Sequence, residues 1–252
     1  MEAEGDTLVN RQDFEGAIKI YNKVIELSKL KDTESKGVLY KRAICFYNVG
    51  EFQKALDDLN VFIPAYPSFP RALYLRAFVN RELGNTQAQL DDINLLIEQN
   101  PLNADLLKFK AGIYIEDEKY PEAKKELLSL QKLTNDEQIE TQLGFVYYSM
   151  SEPDSAYIHF DSALAINGGY APAYLYMSSL CLEQEAFGLA LTYVDLGLRL
   201  DPGNQQLLFY KGIALAESDQ LEEGCRILAN VFYAGMDQAG DYLKQYCYSV
   251  KD

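Results

Sequence analysis

The sequence predicts an all-α solenoid, built from helix-turn-helix units and closed by a C-terminal capping helix. The first indication is a repeated hexamer: ALDDLN at 55–60 returns as QLDDIN at 89–94, 34 residues later. The second is that the residues around the hexamers return at the same offset. A fixed period of roughly 20 to 50 residues indicates units that bury their apolar faces on their neighbours. The repeated pairs are LYKRA at 39–43 and LYLRA at 73–77, Gly50 and Gly84, and Pro67 and Pro101.

Three further series extend this period over the whole chain. The small residues are Gly5, Ala43, Ala77, Ala111, Gly144, Ser178 and Gly212, spaced 38, 34, 34, 33, 34 and 34. Twelve residues after each stand Ala17, Ala55, Gln89, Ala123, Ala156, Ala190 and Gly224. One helical turn further on stand Tyr21, Leu59, Ile93, Leu127, Phe160, Val194 and Leu228. Small residues on facing turns let two helices approach closely, and the large residue fills the space beside them.

Each unit therefore consists of a helix A, a polar or Gly-bearing turn, a helix B and a helix-breaking segment. The breaks include Pro67, Pro101, NGG at 167–169 and DPGN at 201–204. The whole chain is predicted to form one domain. Its units lie at about 1–33, 34–69, 70–103, 104–135, 136–169, 170–203 and 204–236, and the cap helix lies at about 237–250.

This pattern resembles the tetratricopeptide repeat (TPR) family, which has a 34-residue helix-turn-helix unit. The best match is 144–167, with Gly144, Tyr147, Ala156, Phe160 and Ala163 as in the family, while departures fall at Asn80, Gln89, Asn135, Gly224 and Met236. The resemblance implies a right-handed superhelix of seven repeats that binds other proteins without catalysing a reaction. The tail from Cys225 to Cys247 is similar to those of bacterial repeat proteins, many of them exported.

Two irregularities interrupt the period. The longer first spacing places its surplus residues in LKDTESK at 30–36, which predicts a longer loop or an extra helical turn. The first helix lacks most of its leading turn, because Met1 lies only four residues before Gly5. We therefore expect that the chain begins where something was removed. The compartment stays open: cytoplasmic, or the bacterial cell envelope if a leader was removed.

Composition and charge limit the classes of partner that the chain is expected to bind. A net charge of −15 and a pI near 4.5 disfavour nucleic acid, and no apolar run approaches the ~18 residues of a membrane span. Acidity is interpreted mainly as a solvating surface, and the pairs Asp57-Asp58 and Asp91-Asp92 as carboxylates near the positive end of helix B. An acidic face that binds a basic partner is the alternative.

No catalytic, metal or cofactor site is predicted. The single histidine, His159, has no nucleophile or second metal ligand at a suitable spacing, so we interpret it as structural or surface-exposed. Cys45, Cys181, Cys225 and Cys247 are interpreted as small core residues. A disulfide between Cys225 and Cys247 would need the final helix to fold back, and it is not expected. An enzyme or small-ligand receptor is the least favoured class.

The predicted function is a protein-protein interaction scaffold. In the family, the A helices line the inner surface of the superhelix, where aromatic residues supply contact area for an extended or helical peptide. Helix A aromatics also pack between neighbouring helices, so either role is open for any single residue. The predicted groove residues are Tyr40, Lys41, Tyr47, Arg71, Tyr74, Phe78, Arg81, Phe109, Phe145, Tyr148, Tyr176 and Tyr210, joined by Lys108 and Phe209. Lys41, Arg71 and Arg81 are expected to orient acidic groups of the peptide.

The sequence also bears on two other kinds of interaction, which are chaperone-tail binding and self-assembly. Some co-chaperones of the family bind chaperone-tail carboxylates with basic and amide side chains, but the corresponding positions here are Glu2, Asp6, Lys41, Arg71 and Leu75. Two carboxylates at carboxylate-binding positions would repel such a ligand, so this clamp is rejected. The main alternative to peptide binding is self-assembly, in which the first or last unit packs on a second copy to form a homodimer.

Overall fold

The computed structural model describes residues 1–29 and 33–248, and these residues are mostly helical with no strand among them. The prediction of an all-α helical solenoid is confirmed. The helices are α1 (Glu2–Asn10), α2 (Phe14–Ser28), α3 (Thr33–Asn48), α4 (Phe52–Ala65), α5 (Pro70–Glu82), α6 (Thr86–Gln99), α7 (Ala104–Glu116), α8 (Tyr120–Gln131), α9 (Glu137–Ser149), α10 (Pro153–Ile166), α11 (Ala171–Glu183), α12 (Phe187–Leu200), α13 (Gln205–Ala216), α14 (Leu221–Tyr233) and α15 (Gln238–Tyr242).

The chain forms two compact units, residues 1–118 and 119–252. Within each unit, every helix packs on the helix that follows it in sequence. The odd-numbered helices up to α13 are the predicted A helices, and the even-numbered helices up to α14 are the predicted B helices. The packing of each helix on its sequence neighbours is the arrangement expected of stacked repeats.

The helix ends follow from identifiable residues. Side-chain oxygens of Asp13, Asn103, Asp136 and Asn204 accept hydrogen bonds from backbone N–H groups in the first turns of α2, α7, α9 and α13. Six of the seven turns between A and B helices place one residue at positive φ, at Gly50 (77°) and Gly84 (72°), and at four non-glycine residues. Those four are Gln12, Glu118, Ser151 and Glu185. The repeat therefore fixes a left-handed turn residue even where the sequence does not supply glycine.

The three periodic series form the core, as predicted. Every described member of the series is buried, and all of them except Gln89 and Ser178 are apolar or glycine. A methyl group added at Gly5 would lie 2.5 Å from the ring of Tyr21, and one at Gly144 would lie 2.4 Å from the ring of Phe160. These distances are far below a van der Waals contact, so the rings occupy the space that a larger residue would need.

The surplus segment at 30–36 lies partly outside the described residues, since 30–32 are not described. The described part is helical: α3 begins at Thr33 and has 16 residues, compared with 13 for α5. Extra helical residues therefore account for part of the longer first spacing.

The C-terminal cap differs from the expected regular helix. After α15, residues Leu243–Cys247 form a π-helical turn, and Ala239 and Leu243 are buried against α13 and α14. This turn packs on α14 and brings Cys247 to Cys225, with Cα atoms 5.7 Å apart in a disulfide. The expectation that these two cysteines are unbonded core residues is wrong, because the chain folds back as such a bond requires. Cys45 and Cys181 are free and buried, as predicted.

The interpretation of the repeated aspartate pairs as solvated carboxylates is also wrong for one residue of each pair. Asp58 accepts hydrogen bonds from Arg42 at 2.8 and 2.6 Å, and Arg42 also donates to Asn22 at 2.6 Å. The equivalent Arg76 binds Asp92 and Asn60 in the same way. Asp58 and Asp92 are only 6% and 1% exposed. Each Arg-Asp-Asn cluster therefore ties a repeat to the B helix of the repeat before it.

Candidate functional site: the aromatic faces of the A helices

Three of the predicted groove tyrosines in the first unit pack within its core. Tyr40 lies 5.3 Å from the ring of Phe62 and 4.9 Å from the ring of Phe69, measured between centroids. Burial raises the pKa of Tyr40. Tyr47 meets Phe52 at 5.7 Å, and Tyr74 is half-buried against the cluster around Leu73 and Leu106. These rings contribute to stability, the packing role that the sequence left open.

Phe78 and Phe109 form the exposed part of this face. Their ring centroids lie 5.5 Å apart across α5 and α7, and Phe78 is 37% exposed. Phe109 is half-buried and packs against the same cluster as Tyr74. An apolar ring pair on successive A helices presents contact area to solvent that a partner can cover.

The cations on this face are mostly engaged by the chain's own carboxylates. Lys41 donates to Glu2 and Asp6 at 2.8 Å each, and Arg81 donates to Glu116 at 2.9 Å. Arg71 is exposed and has no ion pair among the described residues. Of the three cations expected to orient acidic groups, Arg71 is therefore the one without a competing carboxylate.

The acidic residues at the rejected clamp positions have a structural role. Burial alone would raise the pKa of Asp6, but hydrogen bonds from Lys41 and Tyr21 outweigh it and lower the pKa below the usual value. Tyr21 donates to Asp6 at 2.8 Å from its position beneath Gly5. These contacts link α1 to α2 and α3, and they occupy Lys41, which would otherwise be available to a carboxylate ligand.

The second unit carries a row of rings on its A helices. Phe145 lies 6.4 Å from Tyr120 and 5.7 Å from Tyr176, and Tyr176 stacks on buried Phe160 at 5.3 Å. Burial raises the pKa of Tyr176, so its hydroxyl stays protonated. Phe145 is partly exposed, which leaves the Phe145 and Tyr176 pair as the counterpart of Phe78 and Phe109.

Near the C terminus, this face opens into a cleft that the sequence analysis did not predict. The cleft has a volume of about 600 Å³ and lies between α11, α13 and the cap. It includes Phe209 and Tyr210, two residues assigned to the groove from sequence. The lining residues that were missed include Glu183, Glu185, Phe187, Glu217, Tyr242 and Tyr246. Glu183 and Glu217 are 34 residues apart, which was the available signal for two of them.

Tyrosine hydroxyls hold the two carboxylates of this cleft. Tyr148 donates to Oε1 of Glu183, and Tyr246 donates to Oε1 of Glu217. The bond to Glu217 is the main reason that the pKa of Tyr246 rises to about 12, with burial adding to it. Burial also raises the pKa of Glu183. The predicted groove residue Tyr148 therefore positions a carboxylate of the cleft through its hydroxyl.

His159 is structural. Its Nδ1 lies 2.8 Å from Oε2 of Glu140, and its ring stacks on Tyr147 at 5.0 Å. Gln131 donates to the other oxygen of Glu140 at 2.7 Å. This cluster joins α8, α9 and α10 through hydrogen bonds and ring stacking.

The two free thiols are not activated as nucleophiles. Burial raises the pKa of both free thiols, to about 11 for Cys45, so neither is a thiolate near neutral pH. Among the described residues, no group of three or more His, Cys, Asp or Glu is placed to hold a metal ion. None of the described helices has the length and apolar character needed to span a membrane.

Comparison with known proteins identifies the fold. The C-terminal part of a TPR repeat-containing protein from Cytophaga hutchinsonii superposes with a TM-score of 0.72 at 17% identity, over 96% of this chain and 98% of that one. The chain has a tetratricopeptide repeat fold. A TPR protein from Parabacteroides merdae gives a TM-score of 0.70 at 15% identity, covering 96% of this chain and 95% of that one.

A third TPR structure is YrrB, a TPR protein with an unusual peptide-binding site. It gives a TM-score of 0.53 at 20% identity, over 76% of this chain and 97% of that one. No model of a protein family matches the sequence, and no curated protein does so either. At these identities the TPR likeness establishes the fold, while the ligand has to be argued from the surfaces of this chain.

Proposed function

We propose that the chain is a non-catalytic protein-interaction scaffold that binds an extended or helical peptide segment on the aromatic faces of its A helices. The observation that carries the proposal is the exposed ring pair of Phe78 and Phe109 on α5 and α7. Phe145 and Tyr176 repeat the arrangement on α9 and α11. Rings on successive helices give a peptide regularly spaced contacts at little cost in side-chain entropy.

The surroundings of each ring decide its role in this proposal. Phe78 is the direct contact of its pair because it is exposed while Phe109 is half-buried, and Phe145 is assigned the same role because Tyr176 stacks on buried Phe160. Tyr40, Tyr47 and Tyr74 support the helices from within the unit. Arg71 supplies the cation for an acidic group of the peptide. The structures of TPR proteins include YrrB with its peptide-binding site, which supports peptide binding as a use of this fold.

The test is selection of a random peptide library displayed on phage against the purified chain. Peptides that are enriched are then measured by fluorescence anisotropy against the wild type, Phe78→Ala, and the control Tyr233→Ala. Tyr233 is a matched control because it is 82% exposed but lies on α14, a B helix. We expect Phe78→Ala to weaken binding by on the order of tenfold, as for a central aromatic contact, and Tyr233→Ala to leave it unchanged.

Two results would contradict the proposal that the aromatic face binds a peptide. Failure to enrich any peptide, or equal loss in both variants, would rule out the aromatic face as the binding surface. Circular dichroism of each variant shows whether the helical content is retained. Self-assembly through the first or last unit, the alternative from sequence, predicts sedimentation coefficients that rise with concentration. A constant monomeric value would exclude it.

A further inference from the structure

The cleft between α11, α13 and the cap is walled by aromatic rings. Tyr242 meets Phe209 edge-on at 5.3 Å and stacks with Tyr246 at 6.1 Å, and Phe209 lies 6.0 Å from Tyr210. The space of about 600 Å³ is open to solvent and large enough for a long side chain with its adjoining backbone. The faces of these rings carry negative electrostatic potential.

The rim of the same cleft is acidic. Glu183, Glu185 and Glu217 line it, and no Lys or Arg is among the described residues that do so. The second unit as a whole also has an excess of acidic residues, because residues 119–252 contain 9 Lys and Arg against 19 Asp and Glu. In the first unit, by contrast, Arg81 pairs with Glu116 and Lys41 pairs with Asp6. The cleft has no such internal counter-ion among its lining residues.

This combination selects one ligand chemistry. An anion would be repelled by three carboxylates, and an apolar group would remove water from them without replacing its hydrogen bonds. A cation would pair with the carboxylates and lie against the tyrosine and phenylalanine rings. Arginine fits better than lysine, because its planar guanidinium stacks on aromatic rings and donates to a carboxylate through two parallel N–H groups.

We infer that this cleft accepts an arginine side chain of a protein partner, with Glu183 and Glu217 pairing with the guanidinium between Tyr210, Tyr242 and Tyr246. The inference rests on the proposed function in one respect: the arginine belongs to a bound peptide. Tyr148 and Tyr246 are positioning residues, since each hydroxyl fixes one carboxylate oxygen and leaves Oε2 of that glutamate outside the bond.

The experiment uses the full chain and two short peptides. The probe is Gly-Gly-Arg-Gly-Gly, acetylated and amidated, and its neutral counterpart carries citrulline in place of arginine. Binding is followed by amide chemical shifts in two-dimensional NMR. We expect the arginine peptide to shift signals of cleft residues such as Glu183, Glu217 and Tyr242, and the citrulline peptide to leave them in place.

Two charge-matched variants assign the effect to the cleft. Glu183→Gln/Glu217→Gln removes two charges but keeps an oxygen acceptor for Tyr148 and Tyr246, so the fold is retained. Glu222→Gln/Glu223→Gln removes the same charge from the first turn of α14. We expect the first variant to bind the arginine peptide on the order of tenfold more weakly, and the second to bind as the wild type does.

The inference fails if arginine and citrulline peptides bind equally, if both double variants lose the same affinity, or if no cleft signal shifts at millimolar peptide. Its failure is separate from that of the scaffold proposal. Peptides selected through Phe78 would still lose affinity in Phe78→Ala if the cleft were inactive. An arginine-specific shift in the cleft would stand if the Phe78 face bound nothing.

Discussion

Gly224 allows a close approach of α13 and α14 in the second unit. A methyl group at this position would lie 2.5 Å from the backbone nitrogen of Ala216 and 2.8 Å from the carbonyl oxygen of Gly212. These are main-chain atoms of α13, which have no rotamer by which to move away. The substitution Gly224→Ala therefore forces α13 and α14 apart. It also restores the alanine that the repeat pattern has at this position in five other units.

The expected change in the free energy of unfolding is the difference between two effects. Alanine favours a helix interior over glycine by about 1 kcal/mol, while overpacking a close-packed contact costs about 1–3 kcal/mol. The cost falls at the upper end here, because backbone must move and the buried Leu228 and Val231 lose contacts when it does. We expect Gly224→Ala to lower the free energy of unfolding by about 1–2 kcal/mol.

The matched control is Gly112→Ala on α7, where a methyl group meets nothing within 4 Å. This variant should gain about 1 kcal/mol from helix propensity alone. Urea unfolding followed by circular dichroism measures both, and hydrogen exchange locates the loss in the amides of α13 and α14. If Gly224→Ala were as stabilising as Gly112→Ala, the close approach of these helices would be refuted.

The remaining predictions concern the cap and buried polar groups. Cys225→Ser/Cys247→Ser, which opens a bond between residues 22 apart in sequence, should cost about 3 kcal/mol by loop entropy, and wild type melted with and without reductant should reproduce it. Burial, stronger than the opposing effect of Arg42, raises the pKa of Asp58. The stability that this shift contributes is thus fully present below the pKa of Asp58 in the unfolded chain, and it is lost as pH rises through the pKa in the folded chain. Arg42→Gln should lower the free energy of unfolding by about 3 kcal/mol at pH 7 and by less at pH 4, where Asp58 is closer to neutral. Equal losses at the two pH values in urea melts would contradict this. Gln89→Met should raise the free energy of unfolding by about 1 kcal/mol, and with it the melting temperature, because Nε2 of Gln89 is buried without a hydrogen-bond partner. A lower melting temperature would show that the amide is satisfied.

The repeat could be predicted from sequence because it depends on packing at fixed intervals. Side-chain volume determines which residues pair, as in Gly5 with Tyr21 and Gly144 with Phe160. The volume of a side chain follows from its residue type, so this pairing can be predicted without coordinates. The Arg-Asp clusters could have been found in the same way. Arg42 and Arg76 stand in the repeated LYKRA and LYLRA, and Asp58 and Asp92 in the repeated hexamers. A charged residue that keeps the period of buried residues is itself a sign of burial with a partner.

The cap and the ring directions could not be predicted in this way, since no period constrains them. A π-helical turn from Leu243 to Cys247 places Cys247 beside Cys225, and nothing in the sequence distinguishes it from an ordinary helix end. Similarly, Tyr40 and Phe78 are both aromatic residues of an A helix. Tyr40 meets Phe62 and Phe69 because helix B and the break of its repeat supply rings, while the one ring that Phe78 meets among the described residues is its counterpart Phe109.

The distribution of charge links the two proposed binding surfaces. Residues 1–118 contain 14 Lys and Arg against 19 Asp and Glu, so the second unit holds most of the net charge of −15. In the first unit, cations such as Arg42 and Arg76 neutralise buried carboxylates, which are therefore unavailable to a partner. The acidic rim of the cleft has no such compensation. A partner that uses the cleft, which carries three carboxylates, should therefore lose more affinity as salt is raised than a peptide held by the Phe78 ring and the single Arg71 cation. Acidity that served solubility alone would give no difference between the two.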